Sequence, residues 1–221
     1  MDKSTMNPMS QVFKYLAISI LFCFVGYGFG KAFIPESVAM MANLLVIILV
    51  IALLILCLLS RKGIIPDRFS MNWVYLFTFI DGICIYPILE MYVGELGTPV
   101  VLGALVGTSV IFFVLSLIAR KEDSDKYLRM GNLLFISLLV LIVLTVIGIF
   151  VGYGTFNILV TIFSILIFGG YILYDVSLVK HDIENGNVND SKDLSLHVLN
   201  LYLDFINIFL DILNLIYNFK E

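Results

Sequence analysis

Apolar residues gather into seven runs, at about 12 to 34, 38 to 59, 71 to 93, 99 to 118, 128 to 151, 156 to 178 and 194 to 218. Each is close to the ~20 residues a helix needs to cross a bilayer. The polar breaks between runs are short, and no linker, low-complexity stretch or internal repeat divides the chain. The pattern predicts an all-α integral membrane protein, one domain folded as a seven-transmembrane-helix bundle. The last run differs from the others in where its polar residues fall. His197, Asn200, Asp204, Asn207, Asp211, Asn214 and Asn218 follow at intervals of 3, 4, 3, 4, 3 and 4. With about 100° of rotation per residue, all seven side chains share one helix face, and Leu, Ile, Phe and Tyr cover the remainder. Polar groups in a bilayer are costly unless they meet protein or water, so this stripe is expected to point into the bundle.

Composition agrees with that reading: 61% of residues are hydrophobic, 14% are charged, and the mean hydropathy is +1.05. A net charge of −4 gives no basic face for nucleic acid. Cys23, Cys57 and Cys84 sit in three different runs without metal-ligand spacing and read as small buried apolar residues. Lys14 before an apolar core and Gly28-Phe29-Gly30 after it resemble a secretory signal, but the run continues through Phe33 and Ile34, so an uncleaved first span is expected. With the N-terminus inside, the inner segments hold Lys3, Lys14, Arg61, Lys62, Arg68, Arg120, Lys121, Lys126, Arg129, Lys180 and Lys192, and the outer ones only Lys31 and Lys220. That asymmetry places the N-terminus in the cytoplasm and the C-terminus outside.

Pro8, Pro35, Pro66 and Pro99 fall near helix starts or in connectors, whereas Pro87 lies inside the third run and predicts a kink or local break. Gly103, Ala104, Gly107, Thr108 and Ser109, and separately Gly169-Gly170, suggest close helix-packing faces.

The spans contain Asp81, Glu90, Asp175, Asp204 and Asp211 and almost no bases, with Arg61 and Lys62 at the inner end of the second run as the nearest candidates. Intramembrane acids mark function by default, against the competing explanation of a structural ion pair. Asp204 lies some 15 Å along the seventh helix by helix rise and Asp175 about a turn from the inner end of the sixth, so the two carboxyls can meet. Close carboxyls in a poorly hydrated site cannot both ionise cheaply, and the pair shares a proton. Either a second proton or loss of the shared one breaks the pair, changes the packing of the two helices and opens a water path. The chemistry is that of a proton-sensitive cation leak. The plainer alternative is an Asp175 in hydrated headgroups and an Asp204 that only binds internal amides.

Tyr171-Ile172-Leu173-Tyr174-Asp175 with Lys180-His181, and Leu201-Tyr202-Leu203-Asp204-Phe205-Ile206-Asn207-Ile208-Phe209, resemble the paired signature of the Bax inhibitor (transmembrane Bax inhibitor motif) family, especially its bacterial members. The resemblance extends more weakly through Phe79-Ile80-Asp81-Gly82 and Pro87. It implies a seven-helix bundle around a central helix and a calcium leak governed by pH. Asp175 and Asp204 would then be the sensor, and Arg61, with Lys62 beside it, would match the arginine that contacts them. Asp81, Asn200, Asn207 and Asp211 are candidates for the ion path or its surroundings. No cofactor is implied. Ca2+ is the transported ion, held transiently at Asp175 and Asp204 without a fixed metal site, and H+ and the lipid bilayer complete the expected partners. A bacterial plasma membrane fits this likeness.

Two other classes compete. One is a membrane interaction protein that regulates a membrane protease or a survival response. The other is an intramembrane aspartyl protease, for which Tyr174-Asp175 matches half of the motif while Asp204 lacks the preceding Gly-x-Gly. A rhodopsin-like receptor lacks its lysine in the seventh run, and no phosphate loop, nucleophile elbow or zinc motif is present. The protein is not expected to be an enzyme.

Overall fold

A computed structural model describes residues 7–35, 51–52, 54–56, 59, 61–64, 68–151 and 154–220. Most of the second predicted span, together with Lys3, Cys57 and Pro66, lies outside the described residues. The described residues form helices joined by loops: α1 (Pro8–Phe33), α2 (Met71–Leu96), α3 (Thr98–Lys121), the short α4 (Ser124–Leu128), α5 (Gly131–Val151), α6 (Thr155–Glu184) and α7 (Ser195–Lys220). Of the described residues before α2, 51–52, 54–56, 59 and 61 are helical. Six helices among the described residues are long and apolar enough to cross a membrane. This is an integral membrane protein with a helical bundle.

Local sequence sets the helix ends. Asn7 accepts a hydrogen bond from the Met9 amide, and Pro8 begins α1 where its missing N–H costs nothing. Ser70 caps α2. Gly97, at φ 87°, closes α2 and opens α3, a backbone conformation that a side chain would strain. Gly186, at φ 71°, turns the chain after α6.

At the centre stands α7. Leu194 to Leu210 are buried but for the half-buried Leu196, and the helix touches α1, α2, α3 and α6. A helix covered on every side tolerates apolar residues all round, which is why Leu, Ile and Phe flank its polar stripe. The outward faces of the peripheral helices carry exposed apolar residues, such as Leu102, Val106 and Phe113 on α3 and Leu133, Ile136 and Val143 on α5. Lipid contact accounts for these.

Four expectations are corrected. First, of the kink or local break expected at Pro87, the break is not found: α2 is helical from Met71 to Leu96, with the bare backbone of Gly30 beside the Ile83 carbonyl that the proline leaves without its helical donor. Second, Cys84 is exposed, because it continues the outward stripe of Trp73, Leu76 and Ile80. Third, among the described residues a side chain built at Gly103 or Gly107 would meet nothing within 4 Å, and Ser109 is exposed, whereas Ala104 and Thr108, about 100° round the helix, are the buried members of that set. Fourth, α6 continues to Glu184, past the predicted end at residue 178, since Lys180 and His181 end the apolar run without ending the helix. Gly170 does make a close approach, and a Cβ there would lie 2.7 Å from Leu134 Cδ2 on α5.

Candidate functional site

Asp175 on α6 and Asp204 on α7 are 1% and 0% exposed and face each other across the junction of the two helices. Between them lies Arg61. Its Nη2 is 2.6 Å from Asp204 Oδ1 and 3.0 Å from Asp175 Oδ2, and its Nη1 donates to Asp175 Oδ1 at 3.4 Å. One nitrogen thus holds an oxygen from each acid, which makes the two carboxyls near neighbours. The guanidinium carbon also lies over the ring of Tyr171 of α6, 3.6 Å from its centroid, a cation–π contact. Lys62 is directed elsewhere, 5.8 Å from the ring centroid of Phe135 on α5. The base at the pair is therefore Arg61, whose planar fork suits two carboxyls better than an ammonium would.

Charge is the controlling quantity here. A guanidinium with one carboxylate and one protonated carboxyl is neutral, and any other proton count leaves a net charge in a buried site. The Oδ2 atoms of both Asp175 and Asp204 are buried, and Asp175 Oδ2 has the Arg61 ion pair as its close contact. Two buried carboxyls that share one guanidinium nitrogen titrate as a pair and not as separate acids.

The rest of the α7 stripe is matched by a second stripe on α6 that sequence reasoning missed. His197 Nε2 lies 3.2 Å from Asp182 Oδ2. Ser164 Oγ donates to Asp211 Oδ2 at 2.5 Å, Asn214 Nδ2 donates to Thr161 Oγ1 at 2.9 Å, and Asn157 Nδ2 donates to Asn218 Oδ1 at 3.4 Å. Asn157, Thr161, Ser164, Tyr171, Asp175 and Asp182 recur at spacings of three, four and seven, one face of a helix. Two antiparallel helices therefore share a polar seam along nearly their whole length. Asn200 is buried one turn before Asp204, and Asn207 donates to the Leu203 carbonyl of its own helix at 2.7 Å.

Asp81 stands apart from the seam. It accepts a hydrogen bond from Tyr202 at 2.5 Å, on a side of α7 roughly opposite Asp204, and joins α2 to the central helix. Glu90 is held by Tyr27 and by Lys31, whose Nζ is 2.8 Å away, at the other end of the bundle.

Where the seam meets the loop between α6 and α7, a cavity of about 250 Å³ is lined by Arg68, Leu178, Asp182, Asn187, Asp193 and His197. Arg68 pairs there with Asp190 at 2.7 Å and Asp193 at 3.2 Å. The Lys192 backbone amide, and then Arg68, hold the Asp190 carboxyl below its ordinary pKa, so these contacts persist above the usual carboxylate range and weaken as pH falls below it. The Phe69 amide donates to Ser195 Oγ at 3.1 Å and ties the segment before α2 to the start of α7.

A family model described as "Inhibitor of apoptosis-promoting Bax1" matches residues 5–221. The chain is 30% identical over 131 residues to an uncharacterized membrane protein of Vibrio cholerae, covering 59% of this chain and 58% of that protein. It is 30% identical over 129 residues to a protein of Paralichthys olivaceus named probable Bax inhibitor 1, covering 58% of this chain and 52% of the relative. A Helicobacter pylori protein of no assigned function is 29% identical over 130 residues, 59% of this chain and 56% of its own length. The chain thus spans a little over half the length of the curated relatives it matches.

Proposed function

The chain belongs to the Bax inhibitor family, and from that premise we propose that it is a pH-sensitive calcium leak whose gate is the Asp175–Arg61–Asp204 cluster. One observation carries the reading: a single buried guanidinium nitrogen holds carboxyls from both α6 and α7. With one shared proton the cluster is neutral and the seam is shut. Loss of that proton leaves a net negative charge that recruits a cation, and gain of a second leaves a net positive charge that loosens the Arg61 contacts. In either case α6 and α7 lose the contact that binds them most strongly at this level, and the polar seam becomes a route for water and ions. The protein itself needs no cofactor for this, and Ca2+ and H+ are its ligands. We place the arginine- and lysine-rich end in the cytoplasm and the protein in a bacterial plasma membrane, as a single polytopic unit.

Purified protein in liposomes carrying an internal calcium dye tests the proposal. Wild type is expected to leak Ca2+ with a rate that depends on pH, and Asp175→Asn and Asp204→Asn are each expected to abolish that dependence. Absence of flux at every pH would instead favour the second reading, regulation of a partner membrane protein, to which the name of the Paralichthys relative points. Proteolysis is disfavoured by the site itself, since a guanidinium seated on both aspartates occupies the place where the attacking water would be activated.

A further inference from the structure

Tyr202 is fully buried at the centre of the bundle, and its hydroxyl donates to Asp81 Oδ2 at 2.5 Å. The ring of Phe77, one turn before Asp81 on α2, stands edge-on to it, with centroids 6.1 Å apart and planes at 89°. Helix α2 therefore holds this one side chain of α7 at its ring and at its tip. Gly82, next along α2, lies instead against the backbone of Cys23 on α1. Asp81 is buried too, and among the described residues its titratable neighbours are Tyr202 on α7, Cys23 on α1 and, on its own helix, Cys84. Those around Asp204 are Arg61 and, on α6, Asp175.

Tyr202 precedes Asp204 by two residues, so the two side chains leave α7 roughly 200° apart around its axis and only about 3 Å apart along it. At one level of the bundle, then, α7 is held by α2 on one side and by Arg61 on the other. A turn of α7 that draws Asp204 away from the guanidinium moves Tyr202 away from Asp81 in the opposite sense. We infer that Tyr202 and Asp81 are positioning residues for the gate, their hydrogen bond setting the rotation of α7 and so keeping Asp204 within reach of Arg61 and Asp175. Neither residue touches the Asp175–Arg61–Asp204 cluster, and Asp81 serves as an acceptor. Without the bond the shut arrangement loses a restraint. Gain and loss of the shared proton then each open the seam sooner, and the pH interval in which the protein is shut narrows from both ends. The inference rests on the leak reading and adds to it the residues that set how far pH must move before the gate opens.

The test uses the full chain in liposomes, with Ca2+ flux measured across the pH range for wild type, Tyr202→Phe, Asp81→Asn, Asp81→Ala and the double variant Asp81→Ala with Tyr202→Phe. The infrared band of the Asp175–Asp204 carboxyls, identified by its loss in Asp175→Asn and Asp204→Asn, is titrated alongside. Tyr202→Phe keeps the ring against Phe77 and deletes only the hydroxyl. Its shut interval is expected to narrow by roughly half to one pH unit at each edge, the share of one hydrogen bond, with the carboxyl band displaced in step. Asp81→Asn retains an acceptor oxygen and is expected to keep the wild-type interval. Asp81→Ala is expected to match Tyr202→Phe, and the double variant to be no narrower than either, as two residues acting through one bond require. A wild-type interval in Tyr202→Phe overturns the inference even if its unfolding midpoint falls, because a purely structural bond lowers stability without moving the interval. An interval in Asp81→Asn as narrow as in Tyr202→Phe overturns it as well, by making the charge of Asp81 the operative quantity. A wild type silent at every pH defeats the leak reading, and the carboxyl band then decides the positioning role alone: displaced in Tyr202→Phe but not in Asp81→Asn supports it, and undisplaced in both overturns it.

Discussion

Two helix contacts in this bundle solve the same packing problem by opposite means. Between α1 and α2 the backbones touch: a Cβ on Gly26 would lie 2.0 Å from the Phe79 carbonyl oxygen, and one on Gly82 would lie 1.9 Å from that of Cys23. Each helix offers one glycine to the other's carbonyl, the close approach that small residues permit in a membrane. Between α6 and α7 it is side chains that meet, in polar pairs from His197 with Asp182 to Asn218 with Asn157. A backbone contact has one register and no substitute partner. A polar pair can exchange its partner for a proton, a cation or water. Under the proposed gate the first interface is the fixed one and the second the one that changes, and α7 links them, tied to α2 through Tyr202 and Asp81.

Removing the base from the polar seam should have the largest effect. Arg61→Ala leaves two buried acids without their cation and is expected to cost about 3–5 kcal/mol of bundle stability, read as a fall in unfolding midpoint in mild detergent, together with loss of the shut state. Arg61→Lys keeps the charge but not the fork, so it should fold and leak at pH values where the wild type is closed, as dye-loaded liposomes would show. Gly82→Ala strikes the other interface. The new methyl meets backbone that cannot rotate away, and a cost of about 1–3 kcal/mol is expected, with the pH midpoint of the leak unchanged. A shifted midpoint in Gly82→Ala would show that the α1–α2 contact takes part in gating. Lys31→Ala should matter least: its ion pair with Glu90 has a lysine that is 56% exposed, and about 0–1 kcal/mol is expected in the same unfolding assay.

The difference between the interfaces also explains how much of each was legible in the sequence. The stripe on α7 could be read because charged and amide residues stand out at helical spacing against Leu and Ile. Its partner on α6 passed unnoticed. Thr161 and Ser164 are hydroxyl residues that occur in any span, and only their register with Asp175 marks them. Neither Gly26 nor Gly82, the latter marked only within the Phe79-Ile80-Asp81-Gly82 likeness, could be read as a packing contact, because one glycine in an apolar run looks like another, and the small-residue set at Gly103 and Gly107 has no described neighbour within 4 Å of either glycine's added Cβ. Helix lengths were readable where the apolar run and the helix end together. They were not for α6, whose last turns carry Lys180, His181 and Asp182 beyond the apolar run. Asp175 and Asp204 could be named from charge in an apolar setting. The choice of Arg61 over Lys62 depended on helix phase, which two adjacent bases do not disclose.

The most direct test of the shared proton is infrared titration of the protein in bilayers, following the C=O stretch of protonated carboxyl groups across the pH interval in which Ca2+ flux changes. A protonated-carboxyl band that changes in step with flux, and is missing from both Asp175→Asn and Asp204→Asn, is the expected result. A band that persists unchanged in both variants, or flux that varies with pH while no carboxyl signal from these two residues moves, would contradict the proton-sharing gate.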